Sequence, residues 1–187
     1  AVTIAKVVGH MFDSSVTLNG PAIGEGGIAV TALNVTIYIV AQFLGAFVGA
    51  VLAWLAYKKQ FDEDLDPALK LGVFSTGPED RSYGWNTVTE AIATAVLIIW
   101  VFVSGYSASG LGPLGVAIII VVIGASLGGP TGYAINPARD LGPRVAHAVL
   151  PIKGKGGSDW SYAWVPVVGP IIGAIVATVI VFAVNLA

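Results

Sequence analysis

The sequence predicts an all-α integral membrane protein, a bundle of four spanning helices with two half-length helices set between them. Three observations carry that expectation. The chain is 56% hydrophobic and only 11% charged, less than half the charge of an ordinary soluble domain. Its apolar stretches are long: 36–57, 111–132 and 161–187 hold no charged residue, and 85–110 holds one, Glu90. About 20 residues, rising ~1.5 Å each, cross the hydrocarbon core. Third, "GGPTGYAINP" at 128–137 interrupts apolar sequence with glycine and proline, which a regular span does not tolerate.

The elements follow in order. Residues 1–12, "AVTIAKVVGHMF", read as a short helix that is not long enough to span. Residues 13–35 are rich in Gly, Ser, Asn and Pro and read as a loop. The first span covers about 36–57, with Tyr38, Trp54 and Tyr57 as interface anchors. Residues 58–84 gather Lys58, Lys59, Asp62, Glu63, Asp64, Asp66, Lys70, Glu79, Asp80 and Arg81, and read as a solvated connecting loop. A second span at 85–105 and a third at 113–129 are separated by a short uncharged gap. A half-length helix at 137–149, the polar loop "PIKGKGGSDW" and a last span complete the chain.

Composition also excludes. A net charge of −2 without a basic patch leaves nothing to neutralise phosphates, so no nucleic-acid partner is expected. The chain has no cysteine and two distant histidines, His10 and His147, so neither thiol chemistry nor a His/Cys metal site is expected. No nucleophile–base pair is visible, and neither a cofactor nor enzymatic activity is expected.

An internal echo organises the chain as one domain over 1–187. "LGAFVGAVLA" (44–53) aligns with "VGPIIGAIVA" (168–177) at constant offset, with identities at Gly45/Gly169, Gly49/Gly173, Ala50/Ala174 and Ala53/Ala177. Small residues four apart are common helix-packing grooves. Combined with a short helix and polar loop before each segment, they indicate a duplication: 1–57 ends a first repeat, 85–187 forms a second, and 58–84 connects them. Duplicated halves with broken helices are a channel and transporter signature.

Asn136-Pro137 opens the half-helix for a physical reason. Proline in the first turn sacrifices no intrahelical bond, and asparagine before it is a favoured cap. The dipole's positive end then sits at Asn136. Non-helical backbone at membrane depth survives only where it lines a cavity or is buried in protein, so 128–149 reads as a re-entrant pore element. Asp140 and Arg144 fall at i and i+4 and can pair. Glu90 has three readings: an acid near the interface, a buried acceptor, or a proton relay, since a lone intramembrane acid is costly.

With these residues in hand, the sequence resembles the aquaporin (major intrinsic protein) family, and within it the glycerol-facilitator branch. The likeness lies in "GASLGGPTGYAINPARDLGPR" (124–144), "FST" (74–76), "GPLGVAIII" (112–120) and "WVPVVGPIIGA" (164–174). The resemblance implies an aquaporin-like bundle in which two half-helices meet mid-membrane. "AVTIA" would continue the first Asn-Pro-Ala motif, making Ala1 its alanine, with two further spanning helices before it. Asn136, Pro137 and Ala138 form the second motif; "LNGPA" (18–22) is a superficial likeness within the Gly-rich loop.

The roles implied by resemblance are specific. Asn136 and Arg139 donate to the passing oxygen, and Arg139 repels cations, protons included. The carbonyls of Gly132, Tyr133 and Ala134 accept. Glu90 is buried and accepts from N–H groups of the re-entrant loop. Gly124 replaces the histidine of strict water channels and widens the constriction; Tyr133 stands where the glycerol branch has an aromatic ring, here with an added hydroxyl. Asp140 with Arg144, and Pro166 with Val167, match that branch's pairs. The function implied is a passive channel for glycerol and other small uncharged solutes, water included. The alternatives are a strict water channel and an ion-coupled transporter using Glu90. The implied partners are glycerol, water, the lipid bilayer and three further copies in a homotetramer, at the plasma membrane. Lys58, Lys59, Lys70 and Arg81 favour a cytoplasmic 58–84 by the positive-inside rule, whereas the family places that segment outside.

Overall fold

The computed structural model describes residues 1–20, 23–104 and 111–185. Among these, eight helices and no strand occur: α1 (Val2–Phe12), α2 (Ala32–Ala56), α3 (Lys58–Phe61), α4 (Pro67–Phe74), α5 (Tyr83–Val103), α6 (Pro113–Leu127), α7 (Pro137–Val149) and α8 (Val165–Ala183). The chain is an all-α, multi-pass membrane protein. Three helices, α2, α5 and α8, are long and apolar enough to cross a membrane.

The expected third span is shorter than anticipated. α6 has 15 residues, about 22 Å of helix against a hydrocarbon core of ~30 Å. It stops at Leu127 because Gly128, Gly129 and Pro130 follow, and the apolar sequence beyond is loop. Most of the gap before α6 lies outside the described residues.

α5 and α8 form the tightest contact. A Cβ at Gly169 would lie 2.6 Å from Glu90 Cβ, and one at Gly173 would overlap the Ala91 carbonyl. The small residues thus let two backbones approach, beside Glu90. Their echoes Gly45 and Gly49 on α2 have no described atom within reach of an added Cβ. α2 buries only Ala50, and its Leu33, Ile37, Val40, Leu44, Val48 and Leu52 are exposed. Their three- and four-residue spacing makes one apolar stripe suited to lipid.

Residues 58–84 hold more structure than their charge implied. Asp66 caps α4 by accepting from Ala68 N at 2.8 Å, with Pro67 in the first turn. Phe61 and Phe74 are buried with Ala50, Ala146 and Ile152. Lys70, 3% exposed, donates Nζ to the carbonyls of Glu63 (2.8 Å) and Lys153 (2.6 Å). Two aromatic anchors turn this solvated-looking segment into a cover over α7. In the 13–35 loop, Asn19 donates to Gly26 O and accepts from Ile28 N, both at 2.8 Å. It braces that loop and caps no helix; residues 21–22 of "LNGPA" lie outside the described residues.

Candidate functional site

The site is built on the loop between α6 and α7. Gly132 N donates to Gly128 O at 2.8 Å, turning the chain back after α6. Gly132, Tyr133 and Ile135 then take φ values of 76°, 43° and 45°. Only glycine adopts such angles freely; Tyr133 and Ile135 each cost roughly 1–3 kcal/mol. Glu90 on α5 holds them there. It is 1% exposed and accepts from Thr131 Oγ1 (2.7 Å), Ala134 N (2.9 Å) and Ile135 N (2.7 Å). With the N–H groups of Ala134 and Ile135 turned to Glu90 and that of Gly132 to Gly128 O, no described residue donates to the carbonyls of Gly132, Tyr133 or Ala134.

Asn136 caps α7 from an extended conformation, its Oδ1 accepting from Ala138 N at 3.0 Å. It lines a cavity of about 170 Å³ together with Ala1, Thr3, Gln42, Pro137 and Val167. The N-terminal ends of α1 and α7 therefore open on one space. Pro166 is buried at the first turn of α8, and Val167 forms a cavity wall.

Arg139 is exposed and forms no hydrogen bond or ion pair among the described residues. It opens on a second cavity of about 320 Å³, lined also by Gly49, Ala53, Val73, Phe74 and Pro143. Tyr133 lies against Gly124 and Gly128. A Cβ at Gly124 would sit 2.9 Å from Tyr133 Cζ, and one at Gly128 2.7 Å from its Cδ1. The space released by Gly124 is filled by this ring and not left open.

The rest of α7 is anchored by a buried polar network. Asp140 and Arg144 are fully buried and ion-paired. Asp140 Oδ2 accepts from Thr76 N and Thr76 Oγ1, both at 2.7 Å. Arg144 donates to Asp140, to Thr76 O (2.9 Å), to Ser158 O (2.8 Å) and to Asp159 O (3.1 Å). A buried pair is stable only when its remaining valences are met, and here they are. At the far end, Lys155 Nζ donates to the carbonyls of His147, Ala148 and Leu150, each at 2.7 Å. A cation on terminal carbonyls complements the helix dipole. His147 is buried, its Nδ1 2.9 Å from Ser158 Oγ, with Phe74 against its ring.

The network reaches the surface at Asp159, which binds Arg81 at 2.6 and 3.0 Å. Those bonds hold the Asp159 carboxyl below the usual carboxylate range and push the Arg81 guanidinium up. Arg81 also lies over the rings of Tyr83 and Tyr162. Sequence reasoning overlooked Thr76, Ser158 and Lys155 as partners of α7, and Gly128 as the second opening for Tyr133. Only "FST" at 74–76 marked any of them.

A family model described as Major intrinsic protein matches residues 1–181. The "Probable glycerol uptake facilitator protein" of Thermotoga maritima is 51% identical over 174 residues, covering 92% of this chain and 73% of that protein. The "Glycerol uptake facilitator protein" of Bacillus subtilis is 57% identical over 142 residues, covering 75% of this chain and 52% of that protein. The chain thus spans between about half and three quarters of these relatives' length. Among solved structures, the aquaglyceroporin from Plasmodium falciparum superposes with a TM-score of 0.71 at 25% identity, over 100% of this chain and 75% of that one.

Proposed function

From the premise that the chain belongs to the major intrinsic protein family, we propose that it forms a passive transmembrane channel for glycerol and other small uncharged solutes, water included. One observation carries this reading. Glu90 takes the N–H groups of Ala134 and Ile135, and the carbonyls of Gly132, Tyr133 and Ala134, in the stretch leading to the Asn136 cap, have no donor among the described residues. Such a row of acceptors, followed by an amide donor, suits a molecule that carries hydroxyls and no charge. Pores of this kind select by width, donor and acceptor placement, and electrostatic barriers.

In this reading Asn136 donates to the solute oxygen, and the dipole of α7 favours that oxygen over any cation. Arg139, without a partner among the described residues, supplies a second donor and a fixed positive charge that rejects cations and protons. The Tyr133 ring offers an apolar face to a polyol's carbons, and Gly124 gives that ring its place. Asp140, Arg144, Pro137, Ala138, Pro166 and Val167 hold these groups in position, and Ala1 begins the first half-helix at the shared cavity.

Glu90 has both oxygens occupied by three donors, which favours a bracing role over a proton relay and so disfavours ion-coupled transport. A strict water channel is disfavoured by the aromatic ring at Tyr133. The mode of assembly is a homotetramer at the plasma membrane, with 58–84 on the outer side. Swelling of proteoliposomes in glycerol, with and without proton or sodium gradients, tests the proposal. Gradient-independent glycerol entry is expected, and accumulation driven by a gradient would overturn it.

A further inference from the structure

Gln42 stands in the middle of α2 among apolar residues, a depth at which an unpaired amide is costly. The other polar side chains near the start of that helix bond locally, Asn34 to Ala29 O and Thr36 to Ala32 O. Gln42 does not. Its Nε2 donates to Thr3 Oγ1 at 2.8 Å, and Thr3 is a buried residue in the first turn of α1.

The rest of α1 meets its neighbouring helices mainly by apolar contact, with Lys6 Nζ 4.6 Å from the centroid of the Phe102 ring; His10 Nδ1, 2.9 Å from Val16 O, ties α1 only to the loop that follows it. Ala5 packs with Ile98, Phe102, Ala174, Ala177 and Val181, and Gly9 lies against the rings of Phe102 and Phe182. Apolar contact fixes the distance between helices but is non-directional, and it resists sliding weakly. A hydrogen bond is directional and weakens steeply with misalignment. The Gln42–Thr3 bond therefore supplies what the apolar contact lacks, the axial register and rotation of α1. Both residues line the cavity that also holds Asn136, so a shift of α1 is felt where the two half-helices meet.

We infer that Gln42 is a positioning residue: acting through Thr3, its amide sets the register of the first half-helix against the second and thereby the solute preference of the passage between them. This rests on the reading of the Asn136 region as a solute path. Two measurements on the full chain separate the inference from that reading. The sequence has no cysteine, so Met11→Cys and Val149→Cys, both at exposed positions, give clean spin-label sites at the far ends of α1 and α7. Gln42→Leu and Thr3→Val should each shift or broaden the label–label distance by about one helical rise, ~1.5 Å, and Thr3→Ser should leave it as in the parent.

In proteoliposomes at matched protein content, Gln42→Leu and Thr3→Val should each change the glycerol-to-water permeability ratio by about threefold or more. Their combination should go no further, as expected of two residues acting through one bond, and Thr3→Ser should restore the parent ratio. An unchanged label distance in Gln42→Leu, or single effects that multiply in the double variant, overturns the inference. A distance shift in a protein that passes no glycerol sinks the proposed function and leaves the positioning role standing.

Discussion

The two half-helices do the same architectural job by opposite means. α1 is mostly apolar and docks through small residues, Ala5 and Gly9, against α5 and α8, with a single hydrogen bond to α2, from Gln42 to Thr3, among the described residues. α7 carries Arg139, Asp140, Arg144 and His147 and is tied down by a buried ion pair, two threonine bonds and a lysine at its last turn. Packing of the first kind tolerates small displacements, because each contact is weak and undirected. A buried ion pair with its hydrogen bonds met, as at Asp140 and Arg144, does not, because misplacing either member leaves a buried charge or donor unpaired. The stiffer construction is found in the helix that carries Asn136 and Arg139, the two side chains to which the proposed function assigns the donors.

The contrast can be broken most severely at Asp140. Asp140→Ala leaves the guanidinium of Arg144 buried without its carboxylate, a loss of about 3–5 kcal/mol. Thermal unfolding in detergent should reveal a large drop, whereas Gly9→Ala in α1 should cost only about 1 kcal/mol because flexible rings can yield. Equal losses would remove the distinction between the two helices.

A middle-sized effect is expected at Gly124. Gly124→Ala places a methyl against the Tyr133 ring and should cost about 1–3 kcal/mol through overpacking. Its glycerol-to-water permeability ratio should change, and Tyr133→Ala in the same chain should relieve the stability loss. If the double variant is no more stable than Gly124→Ala alone, the ring does not occupy that space. Lys155→Met should be milder, about 1 kcal/mol from the lost cap on three carbonyls, read in the same unfolding assay.

The smallest effect is the pH response at the surface end of the network. Asp159 has its carboxyl depressed by Arg81, so the pair's contribution is present above the unfolded value near ~4 and is lost as pH falls through the lower folded value. Asp159→Asn should flatten the stability-against-pH curve in that acidic range only. A difference confined to neutral or alkaline pH would contradict the assignment.

Local chemistry was legible in the sequence, and distant partnerships were not. The Asn136-Pro137 helix start depends on capping and on proline's missing N–H, properties that any sequence displays. Asp140 and Arg144 are one turn apart, so their pairing follows from helical spacing. Thr76 and Ser158 come from elsewhere in the chain; "FST" marked Thr76 only through the family resemblance, and nothing beside Ser158 marks it as a partner. Phe61 and Phe74 were concealed by the charges around them. α6 ends at Leu127, two residues before the expected 129, because the glycines that interrupt the apolar sequence already stop the helix at Gly128. Gly124 was legible as a missing side chain, but what fills its space depends on how the loop folds back.

The most direct test of the central claim compares the parent protein with Arg139→Val in proteoliposomes carrying an internal pH dye, under an imposed membrane potential. A half-helix offering an amide and a guanidinium to uncharged solutes predicts rapid glycerol entry in both, with proton leak only in the variant. Glycerol entry that is absent from the parent, or a variant as proton-tight as the parent, would contradict it.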